Sequence, residues 1–439
     1  MKNINGPLLW KRAKEIMPGG SQLLSKRAEM FLPGGWPSYY TKAKGIEVTD
    51  LDGNRYLDFS LMGVGSCILG YADTDVNRAV KKAVDAGSIS TLNCPEEVEL
   101  AELLCTLHPW AQMCRFARTG GEAMAVAVRI ARAKSGKDGV ALCGYHGWSD
   151  WYLAANLGDK KSLDGHLLPG LAPRGVPRAL KGSVLTFAYN DIQVLEKIVK
   201  EHKDIGVIVV EPMRHQEPQK GFLQEVKKIA ERVGAVLIFD EISIGWRLNV
   251  GGVHMVLGVH PDIAVFAKAM SNGYPMSAVI GSRKVMQVAQ ESFISSTYWT
   301  ERVGPVAALA TLKKMQRVNL PAHLKRIGGL IGEGWETLAK KHGLKLKVVF
   351  TPEALISFSF DYGEESQAIR TLFTQEMLRL GYLASGSVYV SYAHKERDIR
   401  AYLRAADEVF SILAQAIRAK TVLTMLHGPV AHVGFKRLT

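Results

Sequence analysis

Two apolar runs that each end on a charge constrain this chain more than any other feature. Ala235 to Phe239 stops at Asp240-Glu241, and Ile263 to Ala267 stops at Lys268. Both have the length and aliphatic composition of strands buried on two faces, as parallel strands are. A third run, Gly206 to Val210, stops at Glu211-Pro212. Strands lying side by side and parallel deliver such terminal charges to the carboxyl edge of their sheet, where open α/β sheets place their ligands. Taken alone, an acid at a strand end caps the next turn, and a lysine there is a solvated loop residue. Two carboxylates and an amine converging on one edge imply a built site.

The surrounding pattern supports that placement. From about residue 95 to 320, strand-like runs alternate with helical stretches, Val140-Ala141-Leu142 and Val279-Ile280-Gly281 being two further runs. Alternation of this kind means βαβ units, an α/β fold and a mostly parallel sheet. Pro321 marks a change of texture, with helices expected over 322–342, 364–380 and 395–420 and strands over 345–361 and 388–393. Before the alternating region, residues 1–32 read as an irregular or helical leader. Residues 36–60 then read as short strands around the turn Asp52-Gly53-Asn54. The expected organisation is a large domain over 66–320 and a smaller α+β lobe over 321–439, joined by the segment 1–65.

Composition narrows the class. A chain of 439 residues with 47% hydrophobic and 22% charged residues suits a soluble globular protein rather than a fibrous or disordered one. No apolar run approaches the ~18 residues of a membrane span, and the N-terminus lacks the apolar core of a signal peptide. Cys67, Cys94, Cys105, Cys114 and Cys143 are scattered without CxxC spacing, which fits reduced thiols of a cytoplasmic protein and no metal site. The net charge of +13 is spread along the chain. It is expected to be a solvated surface with some steering of anions, and not a nucleic-acid interface.

Two further stretches carry chemistry. Thr119-Gly120-Gly121 precedes an Ala-rich helix expected to start at Glu122. Paired glycines before a helix N-terminus let backbone N–H groups and the helix dipole meet an anion such as phosphate, although an ordinary turn looks the same. Residues 144–152, GYHGWSDWY, follow the strand at Val140; Tyr145 is placed to stack on a flat ring, with His146 beside it, and Trp148 and Trp151 are expected in the core. A lysine amine and an aspartate at one sheet edge, near a phosphate cup and a stacking aromatic, are what pyridoxal 5'-phosphate (PLP) chemistry needs. The lysine forms a Schiff base, and the aspartate keeps the pyridine nitrogen protonated.

The blocks TGGEA…RIARA, YHG, EP, IFDEI and FAKAMSNGYP stand in the order and spacing of class III PLP-dependent aminotransferases, which the chain resembles over roughly residues 15–410. With the leader PGG, VTDLDGNRYLDF and SYAHKERDI, it looks most like the glutamate-1-semialdehyde 2,1-aminomutase branch. The resemblance implies PLP fold type I with a mostly parallel seven-stranded sheet, a homodimer and an active site at the subunit interface. It also implies Lys268 as the Schiff-base lysine in a ping-pong cycle and Asp240 on the pyridinium. Gly120, Gly121 and Glu122 would lie at the phosphate, with Tyr145 and Ile242 on the two ring faces, Glu211 near the ring's polar edge and Thr297, with Ser296 as the alternative, reaching the phosphate from the partner subunit.

The departures concern the substrate. The cup is Thr-Gly-Gly where the family has Ser-Gly-Thr, and the stretch after Glu211-Pro212 is the bulky Met213-Arg214-His215-Gln216. Lys26 or Arg27 stands where a substrate-binding arginine is expected, His146 is a further substrate candidate, and residues 164–178 read as an active-site lid. The expected reaction is therefore amino transfer from glutamate or another amino acid to an aldehyde or ketone. Resemblance of the loops to aminotransferase-like proteins of bacterial surface-sugar assembly implies a sugar-type acceptor. An intramolecular aminomutase and a non-catalytic basic binding protein are the alternatives.

Overall fold

The computed structural model describes residues 4–166, 169–213, 216–350, 352–435 and 438. The chain divides into two compact units, Thr74–Pro321 and the pairing of Met1–Asp73 with Ala322–Thr439.

The Thr74–Pro321 unit is built on a seven-stranded sheet. Its strands are β1 Met113–Ala117, β2 Gly139–Cys143, β3 Val184–Thr186, β4 Ile205–Val210, β5 Val236–Asp240, β6 Ile263–Phe266 and β7 Ser277–Gly281. Their order across the sheet is β1-β7-β6-β5-β4-β2-β3. The five strands from β6 to β3 run parallel. The short run at Val279 is β7, antiparallel to both of its neighbours. Every residue of β2, β4, β5, β6 and β7 is buried.

That burial has two sides. Val140, Leu142, Val207, Val209, Val236 and Ile238 pack with Ala123, Ala127, Ile130 and Ala131 of the helix α1, Gly120–Ser135. The alternate residues Ala141, Ile208, Val210, Leu237 and Phe239 pack with Leu195, Ile198, Val226 and Ile229 of two other helices, Ile192–Glu201 and Phe222–Val233. A strand with helices on both faces has no polar side, and this is why these runs are unbroken in apolar character. Full burial of each such side chain stabilises by roughly 1.5–3 kcal/mol, so the strand ends, where the charges begin, are held by a rigid platform.

The other unit holds a four-stranded sheet and a three-stranded one. In the first, Tyr40–Lys44, Glu47–Asp50 and Arg55–Phe59 form an antiparallel meander, and Tyr382–Ala384 joins parallel to the last. The turn between the middle strands is closed by Asp50: Oδ1 accepts from Asp52 N at 2.9 Å and Asn54 N at 2.8 Å. The second sheet, Leu346–Val349, Leu355–Phe360 and Ser387–Tyr389, is antiparallel and accompanies the helices Leu320–His342, Ser366–Arg379 and Glu396–Ala419. The glycine-rich stretch 61–71 belongs with this unit. Tyr71 donates its hydroxyl to Asp58 Oδ2 at 2.5 Å, and Gly70 approaches so closely that a Cβ there would stand 2.5 Å from that of Ala393.

Candidate active site

Lys268 follows β6 by a single alanine and sits at φ +47°, the left-handed region that non-glycine residues rarely occupy. Strain of this kind costs of order 1–3 kcal/mol and collects at functional sites. The Lys268 Nζ donates to Ser243 Oγ at 2.7 Å. Ser243 lies on the turn that leaves β5, just past Asp240, so the amine and the acid are tied to one turn. Nothing in the sequence singled Ser243 out.

Asp240 is 3% exposed. Its Oδ1 accepts the Ile242 amide at 3.0 Å, and its Oδ2 faces His146 Nδ1 at 2.8 Å. The other ring nitrogen of His146 faces the Cys143 carbonyl at 3.2 Å, so both nitrogens meet acceptors. His146, expected at the substrate, is thus buried behind the acid and positions it. Glu241 faces the opposite way, as strand alternation requires. It accepts from the Val253 and His254 amides and from His254 Nδ1 at 2.7 Å, and Trp110 Nε1 donates to His254 Nε2 at 2.9 Å. That closed network holds the end of β5 from inside.

On the neighbouring strands, Glu211 Oε2 accepts the Tyr145 amide at 2.9 Å. Gly144, at φ +121°, makes this possible, because a Cβ there would come within 2.7 Å of the same oxygen. The Tyr145 ring stands edge-on to Tyr152 at 5.8 Å.

The glycine pair lies inside the first turn of α1 and not ahead of it. Thr119 is the N-cap, its Oγ1 accepting from Glu122 N, while Glu122 Oε2 accepts from Thr119 N at 2.8 Å and Arg118 N at 3.1 Å. Partial burial raises the Glu122 pKa, but these bonds outweigh it and hold the carboxyl below its usual range. Glu122 therefore turns back into the cap. Among the described residues nothing accepts from the amides of Gly120 and Gly121, which are left for an anion. A Cβ on Gly120 would stand 2.9 Å from Ile242 Cδ1, and one on Gly121 would stand 3.1 Å from Trp148 Nε1. Trp148 is not the expected core aromatic: it is 73% exposed beside this turn, whereas Trp151 is buried.

Thr297 and Ser296 are exposed, at the start of a short 3-10 turn. That segment is anchored by Glu301, which pairs with Arg118 at 3.0 Å and caps the helix Val303–Arg317 through the Val303 and Gly304 amides. Lys26 and Arg27 lie in the other unit, where the Arg27 guanidinium sits 5.7 Å from the Phe435 ring. Arg214 and His215 lie outside the described residues.

One sheet edge thus brings together an amine, a carboxylate with a buried histidine behind it, two free helix-terminal amides, and an aromatic and an aliphatic side chain. These groups fit PLP: the amides suit its phosphate, the carboxylate its ring nitrogen and the amine its aldehyde. No group of side chains among the described residues is arranged to hold a metal ion, and no described helix is long and apolar enough to cross a membrane.

Comparison with known proteins gives the same direction. The family model "Aminotransferase class-III" matches residues 34–387. A 3-aminobutyryl-CoA aminotransferase of Cloacimonas acidaminovorans is 31% identical over 412 residues, covering 91% of this chain and 95% of that one. A 2'-deamino-2'-hydroxyneamine transaminase of Streptomyces kanamyceticus is 32% identical over 348 residues, covering 79% and 83%. Among solved structures, the PLP internal aldimine form of the FumI protein of Sphingopyxis sp. MTA144 superposes with a TM-score of 0.85 at 26% identity, covering 94% of this chain and 97% of that one. With a family match over most of its length and relatives similar almost end to end, the chain belongs to the class III aminotransferases, PLP-dependent enzymes of fold type I.

Proposed function

We propose that the protein moves an amino group from an amino-acid donor to a carbonyl acceptor, with Lys268 and Asp240 as its catalytic residues. The observation that carries this reading is the tie between Lys268 Nζ and the turn leaving Asp240. When bound, PLP supplies an aldehyde that takes up the incoming amine and a protonated ring that accepts electrons.

The chain's residues do the rest. Lys268 Nζ would hold PLP at its aldehyde and, when free, would serve as the acid–base group that moves a proton at the substrate carbon. Such acid–base work is typically worth ~10²–10⁴-fold. Asp240 would keep the ring nitrogen protonated, with His146 holding Asp240 in place. The Gly120 and Gly121 amides, with the α1 dipole, take the phosphate; Glu122 serves by shaping their turn. Tyr145 and Ile242 would flank the ring, and Glu211 would lie near its polar edge. The protein acts as a homodimer in which Thr297 of the partner subunit, or Ser296 of the partner subunit, completes the phosphate site. Phe293 at 88% exposure and Tyr298 at 71%, flanking those residues, favour a surface that a second copy covers.

The acceptor we favour is a sugar-type ketone or aldehyde. Support comes from the transaminase relative whose name specifies a hydroxyneamine. The test is a screen of amino donors, glutamate first, against carbonyl acceptors, read by mass spectrometry. A transaminase releases a free oxo-acid from the donor. Isomerisation of one substrate with no oxo-acid released would replace this reading with an aminomutase.

A further inference from the structure

The loop after Tyr145 borders an open cleft of ≈ 610 Å³ whose rim carries the exposed side chains Lys160, Arg174 and Arg178 beside the apolar Leu157, Leu171 and Val176. No carboxylate lines it, and among the described residues no ion pair neutralises these three cations. The loop is a built element. Asn156, 1% exposed, donates from Nδ2 to the Leu171 carbonyl at 2.7 Å and accepts the Leu163 amide on Oδ1 at 3.0 Å, so one buried amide staples both sides of it. Asp164 Oδ1 closes the tip by accepting the Gly170 amide at 3.0 Å. Leu163 and Val176 are buried in the same core cluster as α1. The loop is also fastened to the catalytic edge, because His166 Nδ1 accepts the amide of Gly144, the residue before Tyr145, at 3.1 Å.

Three like charges on the rim of one cleft, with no carboxylate in its lining, make a positive field that attracts an anion. Guanidinium groups match phosphate oxygens in a two-pronged geometry, and a volume of several hundred Å³ suits a substrate-sized group. We propose that this cleft is a subsite for the diphosphate of a diphosphate-bearing carbonyl acceptor, the remainder of its carrier lying on Leu157, Leu171 and Val176. The proposal deepens the aminotransferase reading and rests on it. Both a nucleoside diphosphate-linked sugar and a coenzyme A thioester carry the required group.

The test uses the PLP-loaded enzyme. Inorganic pyrophosphate is titrated by calorimetry into the unaltered protein, into the double variant Arg174→Glu/Arg178→Glu and into Arg397→Glu, an exposed cation of the other unit. Binding that weakens at least tenfold in the double variant and holds in Arg397→Glu is the expected result. No binding, equal binding in the double variant, or an equal loss in Arg397→Glu overturns the proposal. UDP and coenzyme A are then competed against pyrophosphate; the one that competes names the carrier, and competition by neither also overturns it. Separately, an amino donor added to the unaltered enzyme must change the cofactor's absorbance. Failure there removes the aminotransferase reading itself, whatever pyrophosphate does.

Discussion

In the Thr74–Pro321 unit, buried polar groups gather where strands stop: Asp240 against His146, Glu241 against His254, Glu211 against the Tyr145 amide. The other unit is filled differently. Phe358 meets Trp335 at 4.7 Å, Phe373 at 5.2 Å and Phe410 at 6.4 Å, and Phe59 stacks on Tyr402 at 4.2 Å. Many of its carboxylates pair with cations at the surface, as Glu396 does with Arg326 and Asp407 with Lys341. Buried charge is costly to keep unless each group is paired. A unit that holds several such groups at one edge retains them for what that edge does. A core of edge-to-face rings is spent on cohesion.

This contrast can be broken by experiment. The largest effect is expected at the charged edge: Lys268→Ala should lower turnover by about 10⁴-fold, or ~5 kcal/mol of barrier, and abolish the cofactor's yellow colour, with the melting temperature little changed. Residual turnover near the unaltered level would remove the lysine from the site. In the aromatic core, Phe373→Ala should cost about 3–5 kcal/mol of stability. Denaturant titration should show this while the folded fraction keeps its cofactor spectrum; a spectral change with unaltered stability would reverse the division of labour.

Each unit also buries a histidine whose pKa is lowered, His108 in one and His394 in the other, and acid should weaken both. Burial is the main cause that lowers His108 and His394 to about 4 from the ordinary 6.5. The unfolded chain then takes up these protons first, so the stabilisation is complete above pH 6.5 and is lost as pH falls towards 4. The loss is up to roughly 3 kcal/mol for each group. Urea midpoints at pH 7.5 and pH 5 measure it, and pH-independent midpoints would contradict the burial of these rings. The smallest effect is at the cup. Thr119→Ala removes the N-cap bond of α1, for about 1 kcal/mol, and should speed cofactor loss on dialysis. Unchanged retention would mean that the cap does not shape the anion seat.

How much of this could be read from the residues follows from which forces are local. The strand ends at Asp240, Glu211 and Lys268 were legible because burial on two faces leaves long apolar runs and makes their interruption conspicuous. The direction of β7 was not, since apolar runs carry no arrow. The helix start expected at Glu122 lies too late, because Thr119-Gly120-Gly121-Glu122 is a capping-box pattern that puts both glycines inside the helix. The inward turn of His146, the exposure of Trp148 and the bond from Lys268 to Ser243 depend on how separate strand ends meet, and single stretches do not encode that. The cleft cations were visible only as loop arginines, because Asn156 brings them together through contacts across the loop.

The opposed directions of Asp240 and Glu241 carry one more consequence. Deleting or inserting a single residue within β5 would turn each acid to the other's side: a loss would put the glutamate against His146, and a gain would put the aspartate among His254 and Trp110. Point changes along that strand can be absorbed by repacking, but a frame-preserving loss or gain of one codon there reverses which side each acid faces. Among related sequences, the spacing from the start of this strand to its acidic pair should therefore tolerate no indels.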